Sequence, residues 1–200
     1  MKPILHLLFI TSLALLTACG QSSKDGFRGS DISRVEWGGD FSLTAHDGRI
    51  LNTEKLRGKV QVIFFGYTHC PDICAPTLVK LATVMGRLGP EAGNVQVLFV
   101  TVDPRHDTVR QLAGFVPKFH PSFLGLTGLR EQIELVAKDH KMGFATGKDG
   151  KRVDHFGGIL LKDRQGRVRV LLREQATPED IENDIRLLLR TPAPNAVSGK

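Results

Sequence analysis

The chain has 200 residues, 41% of them hydrophobic, with 27 Lys plus Arg against 21 Asp plus Glu and a formal net charge of +6. The basic residues are scattered and do not interleave with aromatic ones, so the positive charge reads as a solvated surface and excludes nucleic acid as the partner. No internal repeat is visible, and about 155 residues between the two polar ends have the size of one domain.

Residues 1–18 read as a secretory signal. Lys2 gives a weak positive start, and residues 4–16 form an apolar run broken by little more than His6, Thr11 and Ser12. The run is too short for a transmembrane helix. It ends in Leu16-Thr17-Ala18-Cys19, which resembles the bacterial lipobox, whose cysteine becomes the acylated first residue after cleavage. On that reading Cys19 carries a lipid anchor of two or three acyl chains, enough to hold a protein on a membrane. The alternative is an ordinary signal peptide with Cys19 incidental. The expected product is a membrane-anchored lipoprotein facing the periplasm or its equivalent, where disulfides persist. Residues 19–36 read as a flexible tether, residues 37–190 as one folded domain, and residues 191–200, with Pro192, Pro194, Asn195 and Gly199, as a disordered tail.

Inside the domain, residues 41–44 alternate, Asp47-Gly48 offers a turn and Ile50-Leu51 resumes, which predicts a short hairpin. Residues 59–66 are almost continuously apolar, the mark of a strand buried on both faces. Residues 74–88 set Leu78, Leu81, Val84, Met85 and Leu88 on a helical stripe. A second buried strand follows at 95–102, a short helix at 108–115 with Thr108 as its N-cap, and a short strand at 123–126. Residues 128–140 are amphipathic, with Leu129, Ile133, Val136 and Ala137 on one side. Residues 158–161 and 168–172 flank the turn Asp163-Arg164-Gln165-Gly166 as a hairpin. Thr177-Pro178 opens a last helix to about Leu189, with Pro178 where its missing N–H costs nothing. The order β-hairpin, β, α, β, α, β, α, β, β, α is that of an α/β fold: a thioredoxin-like three-layer sandwich with a central mixed sheet and an added N-terminal β-hairpin.

The chemistry concentrates where the first core strand hands over to its helix, at Cys70-Pro71-Asp72-Ile73-Cys74. With Cys19 consumed by the lipid signal, Cys70 and Cys74 are the remaining thiols. On the first turn of a helix, positions i and i+4 share one face, so the two sulfurs can form a disulfide or close on one soft metal ion. A helix N-terminus stabilises the thiolate, the form that attacks disulfides and binds soft cations. Thioredoxin has two residues between its cysteines; the three found here argue against a general oxidoreductase and leave room for a metal. A peroxidase reading lacks its Thr-x-x-Cys arrangement, since Thr68 does not fit that spacing. Asp72 is expected to cap the helix. Asp103-Pro104 and Asp107-Thr108 read as a turn and helix cap, with orientation of the cysteine loop as the alternative. His69 is expected to point away from the sulfur face, and His46, His106, His120 and His140 read as ordinary surface residues.

The segment Gly66-Tyr67-Thr68-His69-Cys70-Pro71-Asp72-Ile73-Cys74 resembles the signature of the Sco/SenC family. Thr101-Val102-Asp103-Pro104-Arg105-His106-Asp107-Thr108 resembles that family's second block, and Val153-Asp154-His155 its third. The resemblance implies a copper-binding assembly factor for the binuclear copper centre of cytochrome c oxidase. Copper, as Cu(I) or Cu(II), would be held by Cys70, Cys74 and His155, and the partner would be oxidase subunit II or another copper or thiol protein. The donor set agrees: two thiolates select Cu(I) and imidazole suits copper, whereas structural zinc normally takes four protein ligands. The same residues allow a second function, a thiol–disulfide reductase with Cys70 as nucleophile and Cys74 as resolving thiol, in which His155 is dispensable.

Overall fold

The computed structural model describes residues 26–146, 153–155 and 157–193. The expected signal at 1–18, the lipidation residue Cys19 and residues 194–200 of the expected tail lie outside the described residues.

In chain order the elements are β1 (Ser30–Asp31), β2 (Ser42–Ala45), β3 (Ile50–Asn52), β4 (Val60–Gly66), α1 (Cys74–Leu88), β5 (Val95–Thr101), α2 (Val109–Phe115), β6 (Leu124–Thr127), α3 (Arg130–Asp139), β7 (Phe144–Thr146), β8 (Val153–His155), β9 (Ile159–Lys162), β10 (Val168–Leu172) and α4 (Pro178–Leu189). Eight strands form one mixed sheet in the order β1-β10-β9-β4-β5-β6-β2-β3. β4 and β5 lie at its centre and pair in parallel, Val62 beside Val97 and Phe64 beside Phe99. β6 continues the parallel set, while β9 runs antiparallel to β4 on the other side.

The apolar runs of β4 and β5 follow from this central position. Every residue of both strands is buried. Val60, Val62, Phe64, Val95, Val97 and Phe99 face one core, shared with Leu78 and Leu81 of α1, Leu112 of α2, and Ile181 and Ile185 of α4. Ile63, Phe65, Leu98 and Val100 face the other, closed by Ile133, Val136 and Ala137 of α3. Helices on both faces of a central mixed sheet complete the three-layer thioredoxin-like plan. Among the described residues no helix is long and apolar enough to cross a membrane.

The N-terminal hairpin forms as expected, β2 against β3 and then against β6. Its turn needs Gly48, whose φ of 85° lies in the left-handed region. Thr108 caps α2, its hydroxyl accepting from the Gln111 N–H. Thr177 and Asp180 close a reciprocal capping box at the start of α4, with Pro178 in the first turn.

Several expectations are corrected. Leu129, read as part of a buried helical face, is exposed because the helix begins one residue later and Leu129 is its N-cap. His140, read as a surface residue, is buried against the rings of Phe41 and Phe65. Burial disfavours its charged form, and its pKa falls to about 4. Residues 30–31, within the stretch read as a tether, form β1 on the edge of the sheet beside β10. A second, two-stranded sheet of β7 and β8 also lies outside the expected order.

Candidate metal centre

The cysteine segment begins where β4 ends. Gly66 is the last residue of β4, residues 67–73 form a loop, and α1 starts at Cys74. Of the two cysteines only Cys74 is therefore helical; the expectation that both occupy the first helical turn is corrected, and Cys70 lies in the loop ahead of it. The Cys70 N–H donates to the Tyr67 carbonyl at 3.3 Å, turning the loop back on itself. Neither Cys70 nor Cys74 is in a disulfide. Cys74 is buried in the core beneath α1. Cys70 is half-buried and packs against both cores at the end of the sheet.

Gly66 makes room for this arrangement. A Cβ at that position would stand 2.8 Å from Cys74 Sγ and 2.8 Å from Phe99 Cε2. Any side chain there would displace the sulfur or the ring.

The two thiols occupy opposed environments. Desolvation pushes the Cys70 pKa up, but backbone N–H groups of Asp72 and Ile73, the Cys74 thiol and the Cys74 N–H all favour its thiolate, and the net result lies below the ordinary thiol value. The N-cap position belongs to Ile73, whose side chain has no oxygen to offer these donors, rather than to the expected Asp72. The sulfur of Cys70 stands where a capping oxygen would. Cys74 behaves in the opposite way. Burial foremost, opposed by a Tyr67 backbone hydrogen bond and reinforced by neighbouring Cys70 and by Asp107, drives its pKa far up.

Asp107 also pins the loop from beneath. Fully buried, it accepts from the Thr68 N–H at 3.0 Å, the Thr68 hydroxyl at 2.6 Å and the Thr101 hydroxyl at 2.7 Å. It ties the residue two before Cys70 to the end of β5. The loop-orienting alternative thus belongs to Asp107, while the capping expectation is met by Thr108. Nothing local marks Asp107 for this task, because its partner Thr68 is 39 positions away.

His155 is the last residue of β8, opposite Phe144 of β7; its side chain lies outside what is described. Two residues on, Gly157 lies against the cysteine loop. A Cβ there would meet Ile73 Cδ1 at 2.6 Å and Glu174 Oε2 at 2.9 Å. Gly157 therefore sits beside the residue that precedes Cys74.

The remaining histidines separate clearly. His46 Nδ1 accepts from the Gly125 N–H, and His120 Nδ1 lies 2.8 Å from the Ser122 hydroxyl. His69 turns towards Asp103 and His106. His69 Nε2 is 3.4 Å, and His106 Nδ1 2.7 Å, from the same oxygen, Asp103 Oδ2. His106 is thus part of a cluster, which its reading as an ordinary surface residue missed.

Against known proteins, the SCO1/SenC family model matches residues 30–190. A mitochondrial SCO2 homologue of Bos taurus is 41% identical over 154 residues, spanning 74% of this chain and 58% of the relative. The chain thus spans little more than half the length of that relative, and 34% of the length of a mitochondrial SCO1 homologue of Arabidopsis thaliana. Among solved structures, ScoI of Bradyrhizobium japonicum with copper bound is 35% identical, with a TM-score of 0.69, covering 76% of this chain and 99% of that one. A SCO1/SenC family lipoprotein of Bacillus anthracis is 29% identical, with a TM-score of 0.71, covering 82% and 99%.

Proposed function

The chain belongs to the SCO1/SenC family, and from that membership together with its opposed thiol pair we propose that it is a membrane-tethered copper carrier of the extracytoplasmic space. Its cargo is held by Cys70, Cys74 and His155 and passed to the binuclear copper site of cytochrome c oxidase, with oxidase subunit II as the partner. The observation that carries the reading is the pair itself. One sulfur is stabilised as thiolate at the surface, and a second lies directly behind it at the start of α1. Two sulfurs and one imidazole suit Cu(I) and leave a coordination position open to an incoming ligand, which transfer requires. Support for His155 comes from Gly157, two residues beyond it, which lies against Ile73 of the cysteine loop. Support for copper comes from the family's copper-loaded Bradyrhizobium member.

The tether is the lipid on Cys19. Its support is the lipobox-like Leu16-Thr17-Ala18-Cys19 and the Bacillus anthracis relative described as a lipoprotein. Mass spectrometry of the mature protein is expected to find Cys19 as an acylated N-terminus; an unmodified soluble mature protein would refute the anchor.

The inequality of the thiols favours a second role on the same residues, reduction of a partner's disulfide. Cys70 thiolate attacks one partner sulfur, forming a mixed disulfide and releasing the other as thiolate. Cys74 then passes its proton to the partner thiolate already released and attacks Cys70 Sγ, closing the Cys70–Cys74 disulfide and expelling the partner's second sulfur as thiolate, so that the partner leaves fully reduced. His155→Ala separates the two roles. On the copper reading it abolishes tight Cu(II) binding at the cysteine pair and weakens Cu(I) binding there, and it leaves disulfide reduction intact. Unchanged binding of both copper ions would remove His155 from the site.

A further inference from the structure

We propose that His69, Asp103 and His106 form a second metal site, separate from the cysteine pair and suited to a divalent first-row transition ion, above all Cu(II). One ligand atom from each residue lies within 4.8 Å of the other two. A metal about 2.0–2.2 Å from each ligand atom needs those atoms roughly 3 Å apart, and Asp103 Oδ2 already stands 2.7 Å from His106 Nδ1 and 3.4 Å from His69 Nε2. Small side-chain rotations would therefore admit an ion.

The cluster is held from below and open above. Asp103 is nearly buried, and its backbone is fixed by the Asp103 N–H donating to the Thr101 hydroxyl at 2.9 Å. The Asp103 carbonyl accepts from the N–H groups of both His106 and Asp107, which folds the turn so that His106 returns over the carboxylate. His69 is set edge-on against the Tyr67 ring, with centroids 4.7 Å apart, and lies 5.1 Å from the His106 ring. The two imidazoles are 41% and 63% exposed, so an ion held there keeps open positions for water or an incoming ligand.

The donor set determines which ion. Two imidazole nitrogens and a carboxylate oxygen hold borderline divalent ions, and Cu(II) leads the affinity order for such ligands. Without a thiolate the cluster has little for Cu(I). The inference stands apart from the proposed copper-carrier role, because none of its ligands belongs to the Cys70, Cys74 and His155 set.

The test uses the full chain with Cys70→Ser, Cys74→Ser and His155→Ala combined, which removes the first site. Cu(II) titration of that background, read by calorimetry and electron paramagnetic resonance, is expected to show one bound ion with nitrogen hyperfine splitting. Adding His106→Ala or Asp103→Asn is expected to weaken that binding at least about tenfold and to change the spectrum. His106 is exposed, so its variant should fold normally. No bound Cu(II) in the background, or binding and spectrum unaltered by His106→Ala, would overturn the proposal. Loss of Cu(I) binding by the wild-type protein would count against the cysteine site and leave this one standing.

Discussion

Residues 69 and 70 are adjacent in the chain, yet their side chains join different regions with different chemistry. Inward of the loop, Cys70 faces the N-terminus of α1 and the buried Cys74: sulfur donors, backbone N–H groups and apolar walls. Outward, His69 joins Asp103 and His106 in a polar cluster open to solvent. The inner region suits a soft, reducible ion and the outer a borderline divalent one. One loop keeps the two apart because Asp107 holds its stem rigidly against β5. A small shift of residues 67–70 would disturb both regions at once.

The two regions separate most completely at the sulfurs. Cys70→Ser or Cys74→Ser is expected to abolish stoichiometric Cu(I) binding while leaving folding and the outer cluster in place. A dye-competition titration for Cu(I) checks the first part and a Cu(II) titration the second.

Next in size is the shared support. Asp107→Ala takes the shared acceptor from the buried Thr101 hydroxyl and from the half-buried Thr68 hydroxyl and N–H, and is expected to cost about 1–3 kcal/mol in urea unfolding. Binding of both ions should weaken with it, since both ligand sets hang from the same stem. Gly66→Ala acts on the inner region alone. Crowding Cys74 Sγ and Phe99 is expected to cost about 1–3 kcal/mol and to weaken Cu(I) binding without altering the outer cluster.

The finest test concerns the two thiols. Cys70, its pKa lowered, is expected to be alkylated by iodoacetamide well before Cys74 at neutral pH. Its rate should fall as pH drops through that lowered pKa, because the thiolate is the reacting form. Cys74, buried and with its pKa raised, should stay unmodified in the native protein across the same range. Peptide mapping after timed alkylation reads both. Equal rates would mean that the asymmetry does not exist in solution.

The legible parts of the molecule are those where local pattern and tertiary role coincide. β4 and β5 read as doubly buried strands because apolar residues fill consecutive positions, and such a run has few other places to go. The helix of residues 74–88, the Asp47-Gly48 turn and the Thr177-Pro178 start likewise carry their own signals. The cysteine motif announced a redox or metal site through residue type and spacing. What was missed depends on distance in the chain. Asp107 meets Thr68 across 39 positions, and His69 meets His106 across 37, so neither pairing leaves a local trace. β1 is two residues long, and the polar chain around β7 and β8 has no run of alternation to mark a strand. The error over Cys70 came from assuming that the helix includes both thiols. The backbone uses Cys70 ahead of the helix, where its sulfur meets N–H groups that a helical residue could not reach.

The proposed ligands of copper are Cys70, Cys74 and His155. Copper-edge X-ray absorption of the wild-type protein loaded with one equivalent of Cu(I) tests them directly. Two sulfur scatterers and one nitrogen are expected in the first coordination shell, with the nitrogen lost in His155→Ala. A shell of nitrogen and oxygen alone, or one unchanged by that substitution, would contradict that ligand set.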